Sequence, residues 1–171
     1  PLILQAGDVV LRLILFWGSF LPWGKCWSVD SHNQRTTHDD SSKKIFLSWV
    51  SFSFFVQWTL IYIYAGLHKG GGAWQDGSAI YRTLSLGTLT NEPYARWGLE
   101  LVNTYSSLSS WLSSFTVIFE LCGPLFLLLP VRKWWWRSSI VIIFIGFHLT
   151  ISIFLDIGLF SFIMIAGWAA F

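Results

Sequence analysis

The stretch IFLSWVSFSFFVQWTLIYIYAGL, residues 45–67, decides the fold. It runs for 23 residues without a charge, and about 20 apolar residues suffice for a helix to cross the hydrocarbon core of a bilayer. Segments of the same kind lie on either side. Val9 to Trp23 is apolar except for Arg12 and Ser19 and reads as a short span or half of one. Leu112 to Val131 reads as a third span with one internal acid, Glu120. Ser139 to Leu155 reads as a fourth, carrying His148 and followed by Asp156. Gly158 breaks the pattern, and Leu159 to Phe171 opens a fifth. The expected fold class is all-α: a polytopic helical bundle in a membrane, with about four to five spans and interfacial helices beside them.

Composition agrees. Of 171 residues 54% are hydrophobic and 12% charged, against about 25% charged in an ordinary soluble domain. The net charge of +2 comes without a concentrated Lys/Arg stripe, which argues against nucleic acid as a partner. Cys26 and Cys122 lie far apart, which excludes a disulfide framework and argues against a zinc site or a thiol redox centre. The chain starts at Pro1 and stops at Phe171 inside an apolar run. It reads as one transmembrane domain, residues 1–171, truncated at both ends.

The connecting segments set an expected orientation. Lys25, Arg35, Lys43 and Lys44 fall between the first two spans, and Arg132, Lys133 and Arg137 between the third and fourth. Two crossings separate these basic loops, so both belong on one side, and short basic loops stay cytoplasmic. The polar loop 31–44, with His32 and His38, is then a solvated cytoplasmic loop rather than a metal site. Residues 68–111 form an extracytoplasmic segment. Within it, Ser78 to Leu89 and Pro93 to Tyr105 suit helices lying on the membrane surface. Pro93 suits a first helical turn, with Asn91 or Glu92 as its cap. Trp134, Trp135 and Trp136 beside Lys133 suit an interfacial aromatic belt.

Ionisable groups at membrane depth are candidates for function. Lys69 follows the second span directly. One reading is snorkelling, in which its ammonium reaches the headgroups. The sharper reading is a Lys held in an apolar cavity, where desolvation disfavours the charged form and leaves an amine able to accept a proton. Gly70, Gly71 and Gly72 let the chain leave the helix sharply and do not form a phosphate-binding loop, since no GK[ST] follows. Trp74 can anchor the turn. Glu120 sits about nine residues into the third span, and His148, Ser152 and Asp156 recur every four residues along one face of the fourth. An ion pair of Lys69 with Asp156 is plausible, as is one of Arg12 with Asp8 or Asp30. Mutual pairing that only fixes helix packing is the competing reading for all of these groups.

Three short motifs carry a resemblance. Trp27-Ser28-Val29-Asp30 resembles the W-S-V-D of vitamin K-dependent γ-glutamyl carboxylases and the related horizontally transferred transmembrane (HTTM) domain proteins. Tyr62 to Lys69, followed by Trp74 and Gly77, resembles that family's Y-x-x-A-G-x-x-K and W-x-x-G. Phe147-His148 and Ile157-Gly158-Leu159-Phe160-Ser161-Phe162 resemble its F-H and I-G-M-F-S-Y. Order and spacing agree from about Asp8 onwards. The resemblance implies a membrane-embedded site in which Lys69 is the base that deprotonates vitamin K hydroquinone or menaquinol, with His148 as its catalytic partner. It implies Trp74, Tyr62, Glu120 and Asp156 around the cofactor, O2 and CO2 as co-substrates, and a secreted peptide or protein whose glutamate is carboxylated. A lipid-soluble reductant oxidised in a dry site is what the chemistry needs, because a glutamate γ-C–H is too weak an acid for any side chain. The His that the carboxylases carry in the preceding span is matched here by Gly7 or Asp8, and their double Lys by His68-Lys69.

The sequence therefore carries two functional readings. One is a carboxylase-like membrane enzyme of the bacterial plasma membrane, or of the endoplasmic reticulum membrane in a eukaryote. The other is a non-catalytic membrane assembly, maturation or scaffold protein. A transporter is weaker, because no internal repeat with paired broken helices is visible.

Overall fold

The computed structural model describes residues 6–20, 49–129, 131 and 133–169. The W-S-V-D motif, the polar loop 31–44, Cys26 and Asp30 lie outside the described residues. Among the described residues eight α-helices follow in order: α1 (Ala6–Gly18), α2 (Trp49–Leu67), α3 (Gly72–Gln75), α4 (Ala79–Ser85), α5 (Tyr94–Thr104), α6 (Leu108–Cys122), α7 (Trp134–Phe154) and α8 (Phe160–Trp168). A 3₁₀ segment, Gly123–Leu128, continues α6. Pro124 stands at its start, and a proline lacks the N–H that an α-helical turn needs there, so the tighter helix takes over.

Among the described residues three helical segments are long and apolar enough to cross a membrane: Trp49–Leu67, Leu108–Leu128 and Trp134–Phe154. Only 17–28% of each apolar window is buried inside the protein. Ile118, Ile142, Ile143 and Leu60 are among the large apolar side chains left exposed. In water such surface would be untenable across three helices; against lipid it needs no cover. Helix α1 has 13 described residues and α8 has nine, so neither reaches spanning length there.

Element boundaries depart from expectation in instructive ways. Helix α6 begins at Leu108, not Leu112, because Ser107 to Trp111 holds no helix breaker. Helix α7 begins at Trp134, so the three tryptophans form its first turn rather than a loop. Trp134 and Trp135 are exposed there, with the Lys133 Nζ 5.6 Å from the Trp135 ring centroid. Pro93 is the N-cap of α5, with neither Asn91 nor Glu92 in that role. The Asn91 Nδ2 instead donates to the Ser152 carbonyl at 2.8 Å, and the Asn91 N–H to the Phe154 carbonyl at 3.0 Å. The loop before α5 is thus latched to the end of α7.

The core is aromatic. Val10, Phe54, Trp58, Tyr62, Ile140, Phe144, Met164 and Trp168 form one buried cluster drawn from α1, α2, α7 and α8. Phe144 and Trp168 stack with centroids 4.1 Å apart. Gly158, with φ +61°, makes the sharp return between α7 and α8 that expectation placed there. The Trp58 ring of α2 lies against α8 because position 167 has no side chain: a Cβ there would lie 2.0 Å from that ring. Small residues at helix contacts are how membrane helices gain packing in the absence of a water-driven force. Gly167→Val should therefore lower stability by about 1–3 kcal/mol or more, the cost of overpacking. Gly146→Ala, with nothing within 4 Å of the added Cβ, should not. Thermal unfolding of the detergent-solubilised protein compares the two.

Candidate functional site: a lysine–glutamate pair between α2 and α6

Lys69 continues from the end of α2, its backbone N–H still bonded to the Gly66 carbonyl at 3.1 Å. Gly66 lies against Leu121 of α6, so close that an added Cβ would meet the leucine side chain at 2.8 Å. That contact lays the end of α2 on the last turn of α6. One turn on, the Lys69 Nζ donates to Glu120 Oε2 in a short charged hydrogen bond, and at 3.4 Å to the Ala65 carbonyl. The two side chains are 20% and 10% exposed, so the pair is mostly dry but not sealed. The Trp74 ring covers the amine, its centroid 5.4 Å from Nζ.

Glu120 is the thirteenth residue of the 21-residue apolar segment Leu108–Leu128, about 18 Å along the helix from its start at 1.5 Å per residue. Lys69 shares that level. It neither snorkels to the segment's end nor sits as a lone amine in an apolar cavity; its partner is a carboxylate. The pairing with Asp156 does not form. Asp156 lies beyond the end of α7, is exposed, and makes no ion pair among the described residues. Its backbone N–H bonds the Leu89 carbonyl at 3.0 Å. Arg12 is exposed on α1, and so is Asp8. Gly7, the other match to the carboxylases' upstream His, is buried against Phe160.

Tyr62 and His148 form a second centre. The Tyr62 hydroxyl and His148 Nε2 lie 2.6 Å apart, and the Trp168 Nε1–H donates to the same hydroxyl at 2.5 Å. His148 and Tyr62 are each 2% exposed and Trp168 is fully buried. Phe144 and Phe160 flank the imidazole and phenol, at 5.9 Å from His148 to Phe160 and 5.0 Å from Tyr62 to Phe144. His148 Nδ1 has no hydrogen-bond partner among the described residues. Of the six residues singled out in the sequence, Lys69, Glu120 and Trp74 thus meet at one place. Tyr62 and His148 meet at another, and Asp156 stands apart.

Two serines were not singled out, and they hold the site's far wall. The Ser109 and Ser113 hydroxyls donate to the Gly77 carbonyl at 2.8 and 3.3 Å. They also accept from the backbone N–H groups of Tyr81 and Ile80, at 3.2 and 3.3 Å. These N–H groups start α4 and have no partner inside that helix. Serines four residues apart on α6 cap it from outside, fixing the chain that leaves Lys69. A signal existed in the sequence: hydroxyls four residues apart on an otherwise apolar helix mark one polar face. Asp76, at the same turn, accepts from the Ser78 Oγ and N–H and faces Arg82; the Ser78 bonds hold its carboxyl below the usual carboxylate range.

Beside this wall runs a groove of about 420 Å³ between α4, α5, α6 and α7. Leu84, Leu101, Phe119, Phe147 and Phe154 line it, with Thr83, Thr116 and Thr150 as its polar side chains. Neither Lys69 nor His148 lines it.

The joint change Ser109→Ala/Ser113→Ala leaves two backbone N–H groups of α4 without acceptors, at about 1–3 kcal/mol for each buried group. Limited trypsin digestion of the protein in membranes should then cut faster at Arg82, while Thr104→Ala, on an exposed side chain, should leave the rate unchanged.

No curated protein and no solved structure matches this chain. A family model does, and the paired lysine lies in the part it covers. The HTTM domain model matches residues 9–171, nearly the whole chain, and the protein belongs to the HTTM domain family.

Proposed function

We propose that this membrane protein is a carboxylase-like enzyme, coupling oxidation of a reduced vitamin K or other quinone to carboxylation of a protein glutamate or a related reaction. The observation that supports the reading is the Lys69–Glu120 pair: an amine and a carboxylate in contact halfway along an apolar segment, 20% and 10% exposed, under an indole ring. Charges buried in this way cost desolvation that packing alone does not require.

The residues fit a hydroquinone head. An amine and a carboxylate can hydrogen-bond its hydroxyls, and the Trp74 face can take its ring. The apolar groove beside α6 suits a prenyl chain. The cofactor, oxidised by O2, would supply the strong base that no side chain offers, with CO2 as the carbon source. The protein's own part is proton handling. Transfer of one proton from the Lys69 Nζ to Glu120 Oε2 turns the ion pair into a neutral amine and a carboxylic acid. The amine lone pair then accepts a hydroxyl proton from a bound quinol, and the pair as a whole has gained one proton. Exclusion of water around the pair strengthens each of these interactions. On the orientation set by the basic loops, the site serves the extracytoplasmic side, where a secreted peptide substrate would reach it, in a bacterial plasma membrane or the endoplasmic reticulum membrane of a eukaryote.

One observation favours a second reading, a non-catalytic assembly, maturation or scaffold protein. Lys69 and His148 each have a partner, and neither lines the groove. On that reading the pair fixes the contact of α2 with α6 and does nothing further.

The two readings separate on the double variant Lys69→Met/Glu120→Leu. Removing one partner alone strands a charge and should cost about 3–5 kcal/mol; replacing both with apolar groups should restore most of that stability. Membranes containing the full-length protein, reduced vitamin K, O2, a glutamate peptide and labelled bicarbonate should yield labelled product and quinone epoxide. The double variant, still folded, should lose about 10²–10⁴-fold in rate. Equal rates for wild type and double variant, or no product from wild type, would overturn the enzymatic reading and leave the scaffold.

A further inference from the structure

The second polar centre has a determinate hydrogen pattern. The Trp168 indole N–H can only donate, so the Tyr62 oxygen accepts it. The phenol then has one proton to place, and His148 Nε2 lies 2.6 Å away. If Nε2 carried a proton, it would donate to the phenol oxygen. The Tyr62 O–H would then lack an acceptor, and Nδ1, which has no partner among the described residues, would be a second unsatisfied atom. If the imidazole were doubly protonated, its charge would sit at 2% exposure between aromatic rings. If the Tyr62 O–H donates to an unprotonated Nε2, one group alone remains unmatched, the Nδ1–H. That arrangement leaves the fewest buried polar groups unmatched.

We infer that Tyr62, steadied by Trp168, is a positioning residue that sets His148 in the neutral Nδ1–H tautomer and so makes Nδ1 a hydrogen-bond donor to an oxygen acceptor. The sequence places the two controlling groups on α2 and α8, on either side of the helix that carries the histidine. The acceptor is an oxygen lone pair, from water inside the bundle or from the carbonyl of an apolar ligand. Nothing in the argument uses Lys69, so it holds whichever of the two functional readings is right.

Nitrogen-15 spectra of the full-length protein, labelled at histidine and embedded in lipid bilayers, test the assignment. The chain has four histidines, and the His148 signals are those lost in His148→Gln. The expected wild-type pattern is a protonated Nδ1 and an unprotonated Nε2. Tyr62→Phe keeps the ring and removes the hydroxyl, and should shift the imidazole to the Nε2–H form. Trp168→Phe leaves the phenol proton in place and should keep Nδ1–H. A protonated Nε2 in wild type overturns the inference. An unchanged tautomer in folded Tyr62→Phe overturns the role of Tyr62. The acceptor is read from the Nδ1 proton. A cross-peak to water identifies water, a shift on adding menadione identifies a ligand carbonyl, and neither of these signals denies the site an acceptor.

Discussion

A polar group placed in hydrocarbon must find its partner inside the protein, and this constraint organises the polar contacts around Lys69, Ser109 and Tyr62. The Lys69 ammonium finds the Glu120 carboxylate. The first N–H groups of α4 find the serine hydroxyls of α6. The Tyr62 hydroxyl sits between the Trp168 indole and the His148 imidazole. Asn91 fastens the loop before α5 to carbonyls at the end of α7. Each of these bonds joins residues at least 28 positions apart in sequence. In a bundle whose outer surface gains nothing from burial against water, such contacts and the close approach of small residues specify which helices touch.

The two polar centres are built differently, and the difference bears on what each can do. Around Tyr62 and His148 the packing is aromatic and closed, with Trp168 fully buried and stacked on Phe144. Such a site fixes hydrogen positions and admits at most a small acceptor. The Lys69–Glu120 pair keeps one face open, with the lysine side chain 20% exposed. Proton exchange with a bound molecule belongs at the open centre. The closed one stands two helical turns back along α2, where it contributes rigidity and a preset donor.

Much of the fold was legible in the sequence because the signal was compositional. Three uncharged or nearly uncharged runs of helical length gave three spans, and Gly158 gave the return into α8. Boundaries were less legible. Leu108 to Trp111 and Trp134 to Trp136 hold no helix breaker, so hydropathy alone could not say that the helices start there. Pro124 could be seen, but not that α6 would tighten into a 3₁₀ continuation instead of ending. At the site, the sequence singled out Lys69 and Glu120 but not their pairing. It matched Lys69 with Asp156 because both lie near span ends. It did not show that Gly66 lets α2 sink against the last turn of α6, and that approach brings the lysine to Glu120. Ser109 and Ser113 were passed over because a hydroxyl on a helix looks neutral until a second helix needs its N–H groups capped.

The structure also gives the spacing Tyr62, Gly66, Lys69 a physical meaning. Steps of four and three residues keep all three positions on one face of α2. The tyrosine takes up the closed centre, the glycine permits the contact with Leu121, and the lysine reaches the carboxylate one turn later. A larger residue at 66 would separate the helices and leave both charges facing lipid, even with Lys69 and Glu120 untouched. Close packing and acid–base pairing are therefore one feature of this helix, and a side chain in neither polar centre governs whether the open one exists.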